Sequence, residues 1–110
     1  MADSIFGQAS TRHVFVNGSC LSSDMSEKLL NKTPQRFGWG IRTPGTDTLA
    51  LSILLQFTNR KTALRLYRRF EREMITSLVP YKNFEIKVNE VLAWLNEHIK
   101  NGAACVGALF

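Results

Sequence analysis

The alternation of apolar and polar positions predicts two extended segments early in the chain. His13-Val14-Phe15-Val16-Asn17-Gly18-Ser19-Cys20-Leu21 sets β-branched and aromatic residues before Asn-Gly, the dipeptide that accepts positive φ at both positions of a type I′ hairpin turn. Phe37-Gly38-Trp39-Gly40-Ile41 alternates bulky with very small residues, which predicts a strand with its large side chains on one face. Between them, Ser22 to Asn31 fits either a short helix capped by Ser23 or Asp24 or a third strand carrying Leu29 and Leu30. Lys32-Thr33-Pro34 ends that segment in either case.

Helical spacing dominates the rest. Thr46 or Asp47 can cap a helix that runs to Phe57 and is apolar on nearly every side, which marks it as the central buried helix. After the Thr58-Asn59 break, Ala63, Leu66, Tyr67, Phe70, Met74 and Leu78 recur at spacings of three and four and predict a helix over 60–78. Val79-Pro80 stops it, because the residue before proline is pushed out of the α region. Phe84 to Lys87 reads as an edge strand. The last helix, over 88–100, buries Val88, Val91, Leu92, Leu95 and Ile99 and ends at Asn101-Gly102. The pattern predicts an α+β domain over 12–102. A small antiparallel sheet from residues 13–41, the hairpin plus a further strand, packs on helices at 47–57, 60–78 and 88–100. Residues 1–11 read as a loose or docked arm, and 103–110 as an apolar tail whose Val106, Leu109 and Phe110 pack on the domain or form a homodimer contact.

Length and composition narrow the class. A chain of 110 residues, 45% hydrophobic and 21% charged, suits one domain that needs no metal or disulfide to fold. Nothing in it has the length of a membrane span or the form of a secretory signal, so a cytoplasmic protein is expected. Cys20 and Cys105 have no neighbouring Cys or paired His, which excludes a zinc module of usual spacing and leaves two thiols. No cofactor motif is present.

Charge changes the picture most. The net charge is +5, and Arg60, Lys61, Arg65, Arg68, Arg69 and Arg72 supply six positive charges within thirteen residues, against Glu71 and Glu73. Lys61, Arg65, Arg68 and Arg72 recur at four, three and four residues, so they project from one side of the second helix, opposite its apolar stripe, with Arg69 beside them. Arginines one turn apart, ~5.4 Å, can address successive phosphates with forked donors, giving sequence-blind, salt-sensitive binding. Arg69 with Glu73 and Arg68 with Glu71 compensate part of that charge. An ordinary solvated helix face accounts for the same residues, and both readings stand at this point.

Other constellations are weaker. The Gly38–Gly45 loop ahead of a helix N-terminus has the form of an anion cradle, but no Gly-Lys-Ser/Thr follows Gly45 and Asp47 sits at its mouth; a tight capped turn explains it. Glu85-Ile86-Lys87 has the Glu-x-Lys form in which a carboxylate binds Mg²⁺ and a lysine steadies developing charge, with Asp47 as its upstream carboxylate. Three residues in that form are frequent by chance. His13 and His98 lie in unrelated elements with no Ser, Cys or Asp arrangement that specifies a triad. Trp39, Trp94, Phe37, Tyr67, Phe70 and Phe84 follow strand and helix faces and read as core.

The Asn-Gly hairpin, Phe37-x-Trp39-Gly40, Leu49-Ala50-x-x-Ile53-Leu54, Ala63-Leu64-x-Leu66-Tyr67-x-x-Phe70, Phe84 and Trp94-Leu95 together carry a resemblance. Over about residues 13–97 the chain resembles a bacterial domain family of unknown function. Its members look like accessory genes of plasmids, integrative elements and phages, so the resemblance implies a mobile-element setting and no mechanism. Ile41 stands where the family commonly has an aromatic, and the turn is Arg42-Thr43-Pro44-Gly45-Thr46 here. Residues and resemblance together predict a non-catalytic binding module. Lys61, Arg65, Arg68, Arg69 and Arg72 would engage nucleic acid or an acidic protein or nucleoprotein surface. A protein-directed inhibitor or adaptor of the anti-defence (anti-CRISPR) type is the alternative, and a small metal-dependent hydrolase using Glu85 and Lys87 the least supported one.

Overall fold

The computed structural model describes residues 3–33, 36–41 and 43–107, the last eight of them as backbone only. The fold is α+β. A four-stranded antiparallel sheet of β1 (Ser4–Gly7), β2 (Val14–Val16), β3 (Ser19–Cys20) and β4 (Phe84–Lys87) runs in the order β3-β2-β1-β4. Four helices accompany it: α1 (Asp24–Leu30), α2 (Pro44–Phe57), α3 (Arg60–Phe70) with a π-helical continuation at Glu71–Ile75, and α4 (Val88–Gly107).

The expected hairpin is β2-β3. Phe15 faces Cys20 and Val16 faces Ser19 across a turn in which Asn17 and Gly18 take φ of 52° and 84°, the two positive values that a type I′ turn demands. The N-terminal arm is corrected. Ser4–Gly7 is an inner strand, paired with β2 on one side and β4 on the other. Ile5 and Gly7 point inward, and a Cβ at position 7 would collide with the Phe84 ring, so the glycine is what lets that ring cross the strand. Four residues with one large apolar side chain buried are too few for periodicity to reveal.

The segment Phe37–Ile41 is also corrected: it joins no strand. Phe37 and Trp39 are buried as the alternation predicts, but Gly40 turns the backbone at φ 86° and its N–H donates to the Ile75 carbonyl at 3.0 Å, while Ile41 is left exposed. The sheet takes β1 and β4 in place of this segment. Ser22–Asn31 resolves as helix α1, with Ser23 at its N-cap and Asn31 in the left-handed region closing it. Its Ser26 hydroxyl meets Ser52 of α2 at 2.7 Å, both buried, so each satisfies the other inside the core.

Helix α2 starts earlier than Thr46 or Asp47. Thr43 is its cap, Pro44 its first residue, and the Thr43 and Thr46 side chains each accept the other's backbone N–H, at 3.3 and 3.0 Å. Thr46 is therefore an inner member of the capping box. Leu49, Ala50, Leu51, Ile53 and Leu54 are wholly buried, which makes α2 the central helix.

Helix α3 changes register as it runs into its π-helical continuation. Through Phe70 the buried positions are those expected, Ala63, Leu66, Tyr67 and Phe70. Thr76 then donates to the Glu71 carbonyl five residues back, and the wider π turn puts Ile75 fully in the core where α spacing assigns Met74. Glu71, one α-helical turn after buried Tyr67, is only 2% exposed. In α4, Val88, Val91, Trp94 and Leu95 are buried as expected, while Leu92, also expected on that face, is exposed. The helical backbone continues past Asn101-Gly102 to Gly107, so residues 103–107 of the expected tail are helical. The Val106 side chain, Pro34, Arg42, Leu109 and Phe110 lie outside the described residues, and with them the expected tail contact.

Candidate polyanion-binding face of the third helix

Asn59 begins α3 by accepting the Thr62 N–H at 2.8 Å. The first turn then holds Arg60 and Lys61 and no acidic residue. Cations at that end oppose the helix dipole, so their placement does not help the helix fold. Lys61, Arg65, Arg68, Arg69 and Arg72 are all exposed, and their row backs onto buried Ala63, Leu66, Tyr67 and Phe70. The structure thus brings together all five residues singled out from the sequence.

They are not equivalent. Arg69 is held along the helix by Glu73, Nε to Oε2 2.9 Å, the expected i,i+4 pair. Arg68 donates through Nε to the Tyr67 hydroxyl at 3.1 Å. This hydrogen bond and the charge of Tyr67, with smaller contributions from Asp47 and Glu71, raise its pKa above the ordinary arginine value. Arg68 is therefore a fixed cation at any physiological pH. Among the described residues, no ion pair engages Lys61, Arg65 or Arg72. Arg68 and Arg72 line a cleft of about 320 Å³ together with Glu71 and Thr76. Leu64, 37% exposed, stands among the cations.

Sequence reasoning missed how the face is anchored. Glu73 Oε1 accepts the Trp94 indole N–H at 2.8 Å, and His98 Nε2 lies 3.6 Å from the same oxygen. His98 stacks on Trp94, ring centroids 3.9 Å apart, and its Nδ1 lies 2.7 Å from the Trp94 carbonyl oxygen. The histidine is thus satisfied structurally. The only sequence signal for this clasp was the i,i+4 spacing of Trp94 and His98. The Trp94 hydrogen bond first, then that from Arg69, hold the Glu73 carboxyl below the ordinary carboxylate range. A depressed carboxylate stabilises the fold above its unfolded-state pKa, ~4.3, and that stability is lost as pH falls through the folded-state value. We expect the melting temperature of the natural chain to fall more steeply with acid than that of Glu73→Gln; equal acid slopes in thermal melts from neutral pH downward would contradict the clasp.

The remaining candidates are not brought together into a site. Glu85 and Lys87 are exposed on edge strand β4, while the Asp47 carboxylate is held by Lys32 at 2.8 Å. Among the described residues no three His, Cys, Asp or Glu side chains converge on a metal position. The glycine loop is filled by the protein itself. A Cβ at Gly45 would strike the Arg36 carbonyl, and one at Gly40 would lie 2.6 Å from that of Leu78. His13 is exposed, edge-on to Phe15, and Cys20 is an exposed free thiol. No helix among the described residues is long and apolar enough to cross a membrane.

A family model matches residues 6–97, from within inner strand β1 to the residue before His98. The chain belongs to DUF6166, a family of unknown function. The DUF6166 match thus includes the whole basic row and every strand residue except Ser4 and Ile5. No curated protein and no solved structure matches the chain.

Proposed function

We propose that this DUF6166 domain is a non-catalytic binding module that engages the phosphate backbone of nucleic acid through the exposed face of α3. The observation that carries the reading is the row Lys61, Arg65, Arg68 and Arg72, exposed and starting in a helical turn that no acid balances. Charges so placed add little to folding, because the helix dipole opposes Lys61 and water screens the others. Against a polyanion each cation displaces condensed counterions, which is favourable and independent of base sequence. Arg65 and Arg68 are the centre of the contact, Arg72 and the adjoining cleft one end, Lys61 the other. Arg69, held by Glu73, contributes least.

A labelled duplex of about 20 base pairs is expected to bind the full chain with affinity on the order of micromolar at ~50 mM salt. Four phosphate contacts give a slope of about −3.6 for log affinity against log salt, roughly a 10²-fold loss by ~200 mM. A mobility or anisotropy titration reads both; no binding at low salt, or binding without that salt dependence, overturns the reading. A second reading, a protein-directed adaptor or inhibitor of the anti-defence kind, is favoured by exposed Leu64 among the cations, since an apolar side chain finds a partner on a protein and not on a phosphate backbone. The two separate on free oligonucleotide, which only the first binds. The setting we propose, an accessory product of a bacterial mobile element acting in the cytoplasm, rests on the resemblance and on the basic, cysteine-poor composition.

A further inference from the structure

A different surface surrounds Arg12, on the loop that joins β1 to β2. Its backbone lies in the left-handed region, φ 63°, and its guanidinium sits 4.3 Å above the Trp39 ring. Three open clefts have Arg12 on their walls. One, about 530 Å³, includes Tyr81 and Lys82; one, about 270 Å³, runs along Trp39, Ile41 and Tyr81; the third, about 520 Å³, passes Arg36 and reaches Asp24 and Glu27 of α1. Tyr81 is common to the first two and Arg36 to the last two, so the three adjoin around Arg12 and make up one grooved surface. None of these residues lines the cleft at Arg68 and Arg72.

The groove and its rim combine two properties. Tyr81, Val79 and Ile41 are 79%, 55% and 54% exposed, three large apolar side chains left in water on neighbouring loops. The cations Arg12, Arg36 and Lys82 stand beside them, and among the described residues no carboxylate pairs with any of the three. The loop is held in place by the Trp39 indole N–H, which donates to the Lys82 carbonyl at 3.0 Å. Such a surface is complementary to a ligand that is both acidic and apolar. A nucleic-acid strand supplies the charge but nothing for the aliphatic Ile41 and Val79, whereas a protein segment supplies both. Tyr and Arg are also the residues on which protein interface energy concentrates.

We propose that this groove docks an extended acidic segment of a partner protein. Its carboxylates lie on Arg12, Arg36 and Lys82, and one aliphatic or aromatic side chain lies between Ile41 and Tyr81. Asp24 at the far end repels acid and confines the carboxylates to the Lys82 side. The groove goes beyond the α3 function and does not depend on it.

The test uses the full ¹⁵N-labelled chain and a pool of nonapeptides of Asp and Glu with one central Leu, Ile, Phe or Trp. The pool at ~1 mM is expected to shift the amide signals of Arg12, Tyr81 and Lys82 saturably. Tyr81→Asp and Lys82→Glu, both at exposed positions, weaken the response at least ~10-fold, and the double variant Arg65→Glu, Arg68→Glu leaves it unchanged. Absence of shifts, equal shifts from a peptide of glutamate alone, the same shifts from a ten-nucleotide strand, or full binding by Tyr81→Asp overturns the proposal. Loss of oligonucleotide binding at α3 with peptide binding intact rejects only the earlier reading.

Discussion

Reversing Arg65 and Arg68 to glutamate is expected to weaken duplex binding by at least about 10²-fold at ~50 mM salt, with the melting temperature nearly unchanged. At that salt each phosphate contact contributes roughly tenfold to the affinity through counterion release, so the loss of two accounts for the factor before the repulsion of the new acids is added. The fold is spared because both side chains are exposed and Arg65 has no ion-pair partner among the described residues. Arg68, itself exposed, loses only one hydrogen bond to the Tyr67 hydroxyl, for which water substitutes. Glutamate is also a good helix former. Arg69→Glu is the control within the same helix: because Glu73 already holds Arg69, its replacement lowers affinity less than either neighbour's. Equal effects at Arg65, Arg68 and Arg69 would mean that net charge, and not the row, governs binding.

Phe70→Ala is expected to have the largest effect on stability, a loss of about 3 to 5 kcal/mol. Phe70 is wholly buried at the junction of α3 with its π turn, and its ring meets Trp94 of α4 edge-on, centroids 5.0 Å apart. Removing the ring leaves a cavity between the helix that presents the cations and the helix whose Trp94 anchors Glu73. For a domain of this size that corresponds to a fall in melting temperature of at least about 10 °C. Phe70→Leu, which keeps most of the volume, is expected to lose less than half as much. A small effect of Phe70→Ala in a thermal melt would show that α4 does not brace the basic face.

What the sequence made legible follows how far each signal reaches. The Asn17-Gly18 turn, the buried face of α3 up to Phe70 and the outward row of cations are set by local rules, and they stand where spacing placed them. Three features depend on distant partners and were misread or missed. Ser4–Gly7 becomes an inner strand only because β2 and β4 arrive on both sides of it. Phe37–Ile41 has the alternation of a strand, but Gly40 bends it toward the Ile75 carbonyl and out of the sheet. The π turn at Glu71–Ile75 slips the buried stripe from Met74 to Ile75, which no count of threes and fours can reveal. The candidate site shows the same division. The five cations are readable from composition and spacing, while the clasp of Glu73 by Trp94 and His98 requires a helix twenty residues further along to return alongside.

The account rests on the exposed α3 row being the surface that meets phosphate. The direct measurement is a titration of the ¹⁵N-labelled full chain with unlabelled duplex at low salt, observed at the arginine side-chain Nε–H signals. We expect Arg65, Arg68 and Arg72 to shift and saturate together, and Arg69, held by Glu73, to move least. Saturable binding that leaves those three signals in place, or moves only arginines elsewhere such as Arg12 and Arg36, contradicts it.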